Sequence, residues 1–174
     1  MKAQLKTTVR TLATAFSIAV LYVCIAATTM AGVDLKGEWT YNAQKSKPGS
    51  SQYPIAPLKL KISTEANGIA VERTTAGFNG GDNMVSTDHL TFDGKVTEST
   101  AFGTSKKKST AVWSADGKQL TVIATILFDQ NGTQREFKST EVYSLSADGK
   151  VLNINFSSQS FEGLDGIFAY DKTN

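Results

Sequence analysis

Residues 114–129 read SADGKQLTVIATILFD. Leu120, Val122, Ala124, Ile126 and Phe128 recur at every second position, and Gln119, Thr121, Ile123, Thr125, Leu127 and Asp129 fill the gaps. Successive side chains of a strand point to opposite faces, so a period of two marks a β-strand; a helical face would need a period near 3.6. One face is wholly apolar and the other mixed, which predicts a strand with a single buried side. The preceding Asp116-Gly117 is a turn signal, because glycine reaches the positive φ angles of tight hairpins without steric cost.

Working outward, the same phrase returns. Residues 146–154 read SADGKVLNI and match SADGKQLTV at 114–122, an offset of 32. Two copies fall short of the three or more units a solenoid needs, so this is a repeated hairpin. Further Asn-Gly or Asp-Gly pairs stand at Asn67-Gly68, Asp93-Gly94, Asn131-Gly132 and Asp148-Gly149. Between them lie period-two segments rich in Val, Ile, Thr, Phe and Tyr. They predict strands over 37–42, 58–63, 69–75, 84–92, 95–102, 106–114, 119–129, 133–145, 151–160 and 166–171. Links this short imply an antiparallel up-and-down meander, since parallel strands need long crossovers. About ten strands with no helix to cover a flat sheet must protect their edges. Closure into an all-β barrel does so, and about eight strands already enclose room for side chains or one small ligand.

The whole chain has 174 residues, suited to one domain, and its 40% hydrophobic content rules out wholesale disorder. A single cysteine excludes an intramolecular disulfide and any multi-cysteine metal or iron–sulfur site; a single histidine excludes a His-rich centre.

Residues 1–31 read as a signal peptide ahead of a domain over 32–174. Lys2, Lys6 and Arg10 precede an apolar run over 12–27, and small residues close it. Ala31 is the first choice of cleavage position and Ala27 the second. A retained membrane anchor is the competing reading, but the apolar core over 13–27 is short against the roughly 20 residues a bilayer requires. A third reading is lipidation of Cys24, since Leu21-Tyr22-Val23-Cys24 resembles the bacterial lipoprotein box, with Val23 where that box has a small residue.

Cleavage changes the charge. The formal net charge is +2, yet the leader holds three of the 18 basic residues and none of the 16 acids, so the domain carries −1. Such a domain offers nucleic acid no electrostatic footprint. Lys106-Lys107-Lys108 is its basic run, read here as a solvated edge that guards against aggregation.

Asp34-Leu35-Lys36-Gly37-Glu38-Trp39-Thr40 opens the domain. This Gly-x-Trp resembles the start of the lipocalin and wider calycin group. Its continuation Trp39-Thr40-Tyr41-Asn42-Ala43-Gln44-Lys45-Ser46 is similar to secreted bacterial lipocalin-like domains, in which Trp-x-x-Asn-x-x-Lys-Ser starts the barrel and Asp-Gly-Lys hairpins come after it. The resemblance implies a lipocalin-like barrel in an exported protein, periplasmic or extracellular. It also implies that Trp39 packs one barrel end under a cation from a late strand. In lipocalins that cation is an arginine; the last strand here has none, and Lys172 is the nearest. The loop over 43–57, with three prolines at 48, 54 and 57, has no room for the helix pair of fatty-acid-binding barrels.

Catalytic chemistry is not expected. Ser86, Asp88 and His89 suggest a triad, but neighbours on a strand face opposite ways: with Leu90 and Phe92 inward, Ser86 and Asp88 point inward and His89 outward. No Gly-x-Ser-x-Gly elbow, phosphate loop, dinucleotide fingerprint or metal motif occurs, so no catalytic residue, metal or cofactor is assigned.

The domain's two arginines carry the binding hypothesis. Arg73 shares a face with Ile69 and Val71; Arg135 shares one with Phe137, Ser139, Glu141, Tyr143 and Leu145. A guanidinium in the lumen, with the Tyr143 hydroxyl as second donor, could hold a carboxylate or phosphate, the arrangement that fatty-acid-binding barrels use. The other reading pairs Arg73 or Arg135 with Glu141 or Asp88, or sets the guanidinium in water at the barrel mouth. The candidate ligand residues are therefore Arg73, Arg135, Tyr143 and Glu141. Three functions are weighed in this order: non-catalytic binding of a small apolar or amphipathic molecule, an envelope or secreted structural or interaction protein with a filled barrel and no ligand, and an enzyme acting on a small apolar substrate. A lumen above roughly 300 Å³ favours the first, while one filled by Trp39, Phe128, Tyr143 and Phe156 favours the second. Membrane attachment is expected only through an uncleaved signal or lipidation.

Overall fold

The computed structural model describes residues 32–51, 55–77, 80–130 and 132–173. Residues 1–31, read above as a signal peptide, lie outside them, with Cys24 and both expected cleavage positions. Ten strands form: β1 Gly37–Tyr41, β2 Lys59–Glu65, β3 Gly68–Thr75, β4 Met84–Thr91, β5 Thr97–Ala101, β6 Ser105–Trp113, β7 Gln119–Gln130, β8 Thr133–Leu145, β9 Val151–Ser158 and β10 Gly166–Lys172. All pair antiparallel in one sheet of order β4-β3-β2-β1-β10-β9-β8-β7-β6-β5. First strand pairs with last, Thr40 opposite Asp171, so the meander curls round on itself. The barrel is nearly closed: β4 and β5 end the sheet order and carry no ladder between them.

The alternation read in residues 119–129 holds in space. Leu120, Val122, Ala124 and Ile126 are buried, while Ile123 on the other face is 54% exposed. The repeated phrase builds the same turn twice. Ser114 Oγ donates to Asp116 Oδ1 at 2.6 Å and Ser146 Oγ to Asp148 Oδ1 at 2.6 Å. Gly117 and Gly149 sit at φ 67° and 68°. Two other glycine pairs behave differently from expectation. The β2–β3 loop is Ala66-Asn67, because Glu65 pairs with Gly68 in the ladder. Gly68 is needed for space: a Cβ there would lie 1.8 Å from the Leu90 carbonyl oxygen. Asp93-Gly94 turns the chain between β4 and β5, but the strands it joins are not hydrogen-bonded to each other.

The tight turns after β2, β4, β6 and β8 gather at one end with the domain's start, and that end is solid. Leu35, Trp39, Val71, Leu90, Leu120, Val122 and Leu152 belong to one buried cluster there. Each such side chain contributes about 1.5–3 kcal/mol by leaving water. Trp39 is fully buried, its Nε1 donating to the Leu35 carbonyl at 3.0 Å. Lys172 lies over its ring, 5.2 Å from the centroid.

At the other end, the chain after β1 climbs beside β10. Asn42 N donates to Ala169 O, and Lys47 exchanges two backbone bonds with Ile167. These bonds prolong the pairing of the short β1 with β10. The segment's described residues contain no helix. β7 and β8 rise beyond their neighbours: in the ladders, β8 pairs with β9 only from Ser139 onward, and β7 with β6 only up to Leu127.

Candidate functional site: a barrel lumen over a charged layer

The inward faces of β3, β4, β5, β6 and β8 bring polar groups to one level of the barrel. Arg73 follows Ile69 and Val71 on β3 by strict alternation, so a cation is carried inside by the same pleat that buries its apolar neighbours. Its Nε donates to Asp88 Oδ2 at 3.1 Å and its Nη2 to Glu141 Oε2 at 2.7 Å. Nη2 also reaches the Tyr143 hydroxyl, which donates in turn to Glu141 Oε2. Asp88 Oδ2 takes a second cation, the Lys107 ammonium, at 2.5 Å, and Oδ1 accepts from Ser99 at 2.7 Å. Arg73, Asp88 and Lys107 are all less than a tenth exposed.

Burial alone works against the charges on Arg73, Asp88 and Glu141, and their mutual arrangement overrides it. Burial pushes the Asp88 carboxyl up, but Arg73 and Lys107 together bring it down to about 2. Glu141 behaves likewise: burial works against its charge, Arg73 and Lys107 work for it, and it ends below the ordinary carboxylate value. Desolvation of the guanidinium works against the charge on Arg73, but Glu141, Tyr143 and Asp88 together outweigh it and hold the group well above its usual value. Burial, with Glu141 beside it, drives the Tyr143 phenol up, so it remains a neutral donor. Arg73, Asp88 and Glu141 are thus held ionised and paired.

Above the charged layer is a cavity of about 400 Å³. Ile126, Phe137, Ile154, Phe156 and Phe168 form its apolar wall, and Arg73, Lys107, Glu141 and Tyr170 reach it from the polar end. Ile55, Ala76, Met84 and Phe102 stand around its mouth. Tyr170 lines this cavity, and its hydroxyl is buried without a hydrogen-bond partner.

Of the four residues singled out in the sequence, Arg73, Glu141 and Tyr143 meet, and Arg73 is paired with both Glu141 and Asp88. Arg135 does not join them. It lies on the inward-parity face of β8, but on the stretch that projects past the barrel wall, and its side chain is exposed opposite Phe128. The lumen therefore holds one arginine from this pair. His89 points outward as expected, its Nδ1 2.7 Å from exposed Glu65.

Sequence reasoning misses Lys107. The run Lys106-Lys107-Lys108 reads as one surface feature, yet only Lys106 and Lys108 are exposed. The signal is parity: Lys107 shares its face with Ser109 and Ala111, both buried. Tyr170 escapes it as well, hidden in the apolar sequence Ile167-Phe168-Ala169-Tyr170.

Comparison of the chain with known protein families, with curated proteins and with solved structures finds no match to any of them. The functional reading rests on the lumen itself.

Proposed function

We propose that this chain is an exported, lipocalin-like protein that holds one small apolar or amphipathic molecule in its barrel and performs no catalysis on it. The observation that carries the reading is the cavity of about 400 Å³, apolar along its wall and polar at its inner end. That volume exceeds the roughly 300 Å³ at which ligand pockets begin, and a lining of aromatics with few polar groups is the usual composition of such sites. Well-packed interiors leave few voids larger than a water molecule, so a space this large in a small barrel calls for an occupant.

The rival reading, a structural envelope or secreted protein with a filled barrel, draws on the opposite end, where Trp39, Tyr143 and Leu152 are fully buried. Two measurements separate the readings. Protein purified from its native envelope is extracted with organic solvent and analysed by mass spectrometry, where one recurring small molecule per chain is expected. Separately, titration with a neutral naphthylamine dye should saturate at one site and weaken in Ser139→Trp, which places an indole in the cavity. No extracted molecule and no saturable dye site would overturn the proposal. N-terminal sequencing of the same material tests export, with a start at Gly32 or Thr28 expected.

A further inference from the structure

We infer that the lumen selects an uncharged head group, a hydroxyl or amide on an apolar chain, over a fatty-acid anion or an alkylammonium; this rests on the reading of the lumen as a ligand site. The cavity lining by itself suggests the opposite. It contains two cations, Arg73 and Lys107, against one anion, Glu141. The fourth charge lies behind the lining: Asp88 accepts from both cations, at 3.1 Å from Arg73 Nε and 2.5 Å from Lys107 Nζ. Two positive and two negative groups form one connected, buried and neutral set.

A bound anion would therefore meet no uncompensated cation. It would bring a net charge into a low-dielectric space beside the Glu141 carboxylate, and leaving water for an unpaired site is costly. An alkylammonium faces the same problem from Arg73 and Lys107. The group with an open requirement is neutral. Tyr170 lines the cavity, and its hydroxyl is buried with no hydrogen-bond partner, where such a group ordinarily has one. Nearby, Glu141 uses only Oε2 for Arg73 and Tyr143 among the described residues. A phenol that can donate or accept and a carboxylate oxygen that accepts together match a hydroxyl or primary amide, which gives and takes a hydrogen bond while adding no charge.

The test uses three ligands with one chain and three heads: dodecanol, dodecanoate and dodecylammonium, each below its aggregation threshold at neutral pH. Each displaces the neutral naphthylamine dye from the wild-type domain. Dodecanol is expected to compete at least about tenfold more strongly than either ion, in keeping with an unpaired charge being excluded. Equal competition, or strongest competition by an ion, overturns the head-group inference and leaves lumen binding standing. No displacement by any of the three, with no saturable dye site, overturns the lumen reading itself. Glu141→Gln supplies a second arm: the amide keeps an oxygen for Arg73 and Tyr143 but leaves the set with one excess positive charge. The ratio of dodecanoate to dodecanol affinity should rise about tenfold in this variant. An unchanged ratio in a variant with wild-type circular dichroism counts against the inference, and the wild-type comparison decides it if the variant does not fold.

Discussion

The Asp88 carboxylate on β4 accepts the Lys107 ammonium from β6 at 2.5 Å, reaching past β5, whose Ser99 hydroxyl donates to the other oxygen of the same carboxylate. This contact spans the seam where β4 and β5 lack a ladder. Side-chain hydrogen bonds take over there from the backbone bonds that join every other neighbouring pair. The residue that neutralises the lumen's cations is also the one that stitches the barrel shut, so charge and closure are coupled.

Removing that carboxylate strands the buried Lys107 ammonium and leaves Arg73 with Glu141 as its remaining anion. Asp88→Asn should destabilise the domain by about 3–5 kcal/mol, the usual cost of breaking a buried pair from one side. Lys107→Met, which leaves Asp88 with Arg73 and Ser99, should cost less. Urea unfolding of both variants checks the order. A loss under about 1 kcal/mol for Asp88→Asn would mean that the seam is held by packing, since a change that small is typical of substitutions away from any buried charge.

Acid should expose the same group. The folded Asp88 carboxyl titrates at about 2, below its ordinary value of 3.8. A depressed folded value stabilises the native state above the unfolded value, and that contribution disappears as pH falls through the folded one. Stability should drop by on the order of 2 kcal/mol between about pH 4 and pH 2. Glu141, also lowered, adds to the fall with the same sign. Asp88→Asn should show a shallower acid limb. Thermal melts across that range decide the point, and parallel curves for wild type and variant would remove Asp88 from the account.

The barrel is legible from alternation and turns because both are local. Residues 133–145 form β8 over just those positions, and the strand read over residues 119–129 extends by one. The lumen is legible as far as parity is followed through charged residues: Arg73 and Asp88 fall inside by that rule, whereas Lys107, read together with its neighbours, goes to the surface. Arg135 shows the limit of parity. Its face is correct, but whether that face is covered depends on how far β9 and β6 extend beside the β7–β8 hairpin, which is a long-range register. The missing β4–β5 ladder is non-local too: an Asp-Gly turn fixes a change of direction, not the pairing of the strands on either side of it.

Two glycines that look alike in sequence should respond differently to alanine. Gly149 has φ 68° with nothing within 4 Å of a Cβ, so Gly149→Ala meets only backbone strain, about 1–2 kcal/mol. Asparagine tolerates that conformation, and Gly149→Asn should recover most of the loss. At Gly68 a Cβ would collide with the Leu90 carbonyl at 1.8 Å, in the backbone of β4. Gly68→Ala must push β4 away from β3, and Gly68→Asn does so equally. Chemical denaturation of the four variants tests the distinction: asparagine rescue at 149 and none at 68.

At the solid end, Lys172 over Trp39 should act as a weak, separable clamp. Lys172 is exposed, so its ammonium keeps much of its water and the attraction to the ring is worth about 0.5–1 kcal/mol. Lys172→Ala should lose about that much. Lys172→Arg should recover or exceed it, because a guanidinium lies flat on an aromatic face and is less strongly hydrated. Trp39→Ala is a different kind of change: it empties a fully buried indole site and frees the Leu35 carbonyl, for a loss of about 3–5 kcal/mol. Urea midpoints of the three variants give the comparison. If Lys172→Ala matched wild type within error while Trp39→Ala unfolded the domain, the indole would hold this end through packing and its Leu35 hydrogen bond, with the cation contributing nothing measurable.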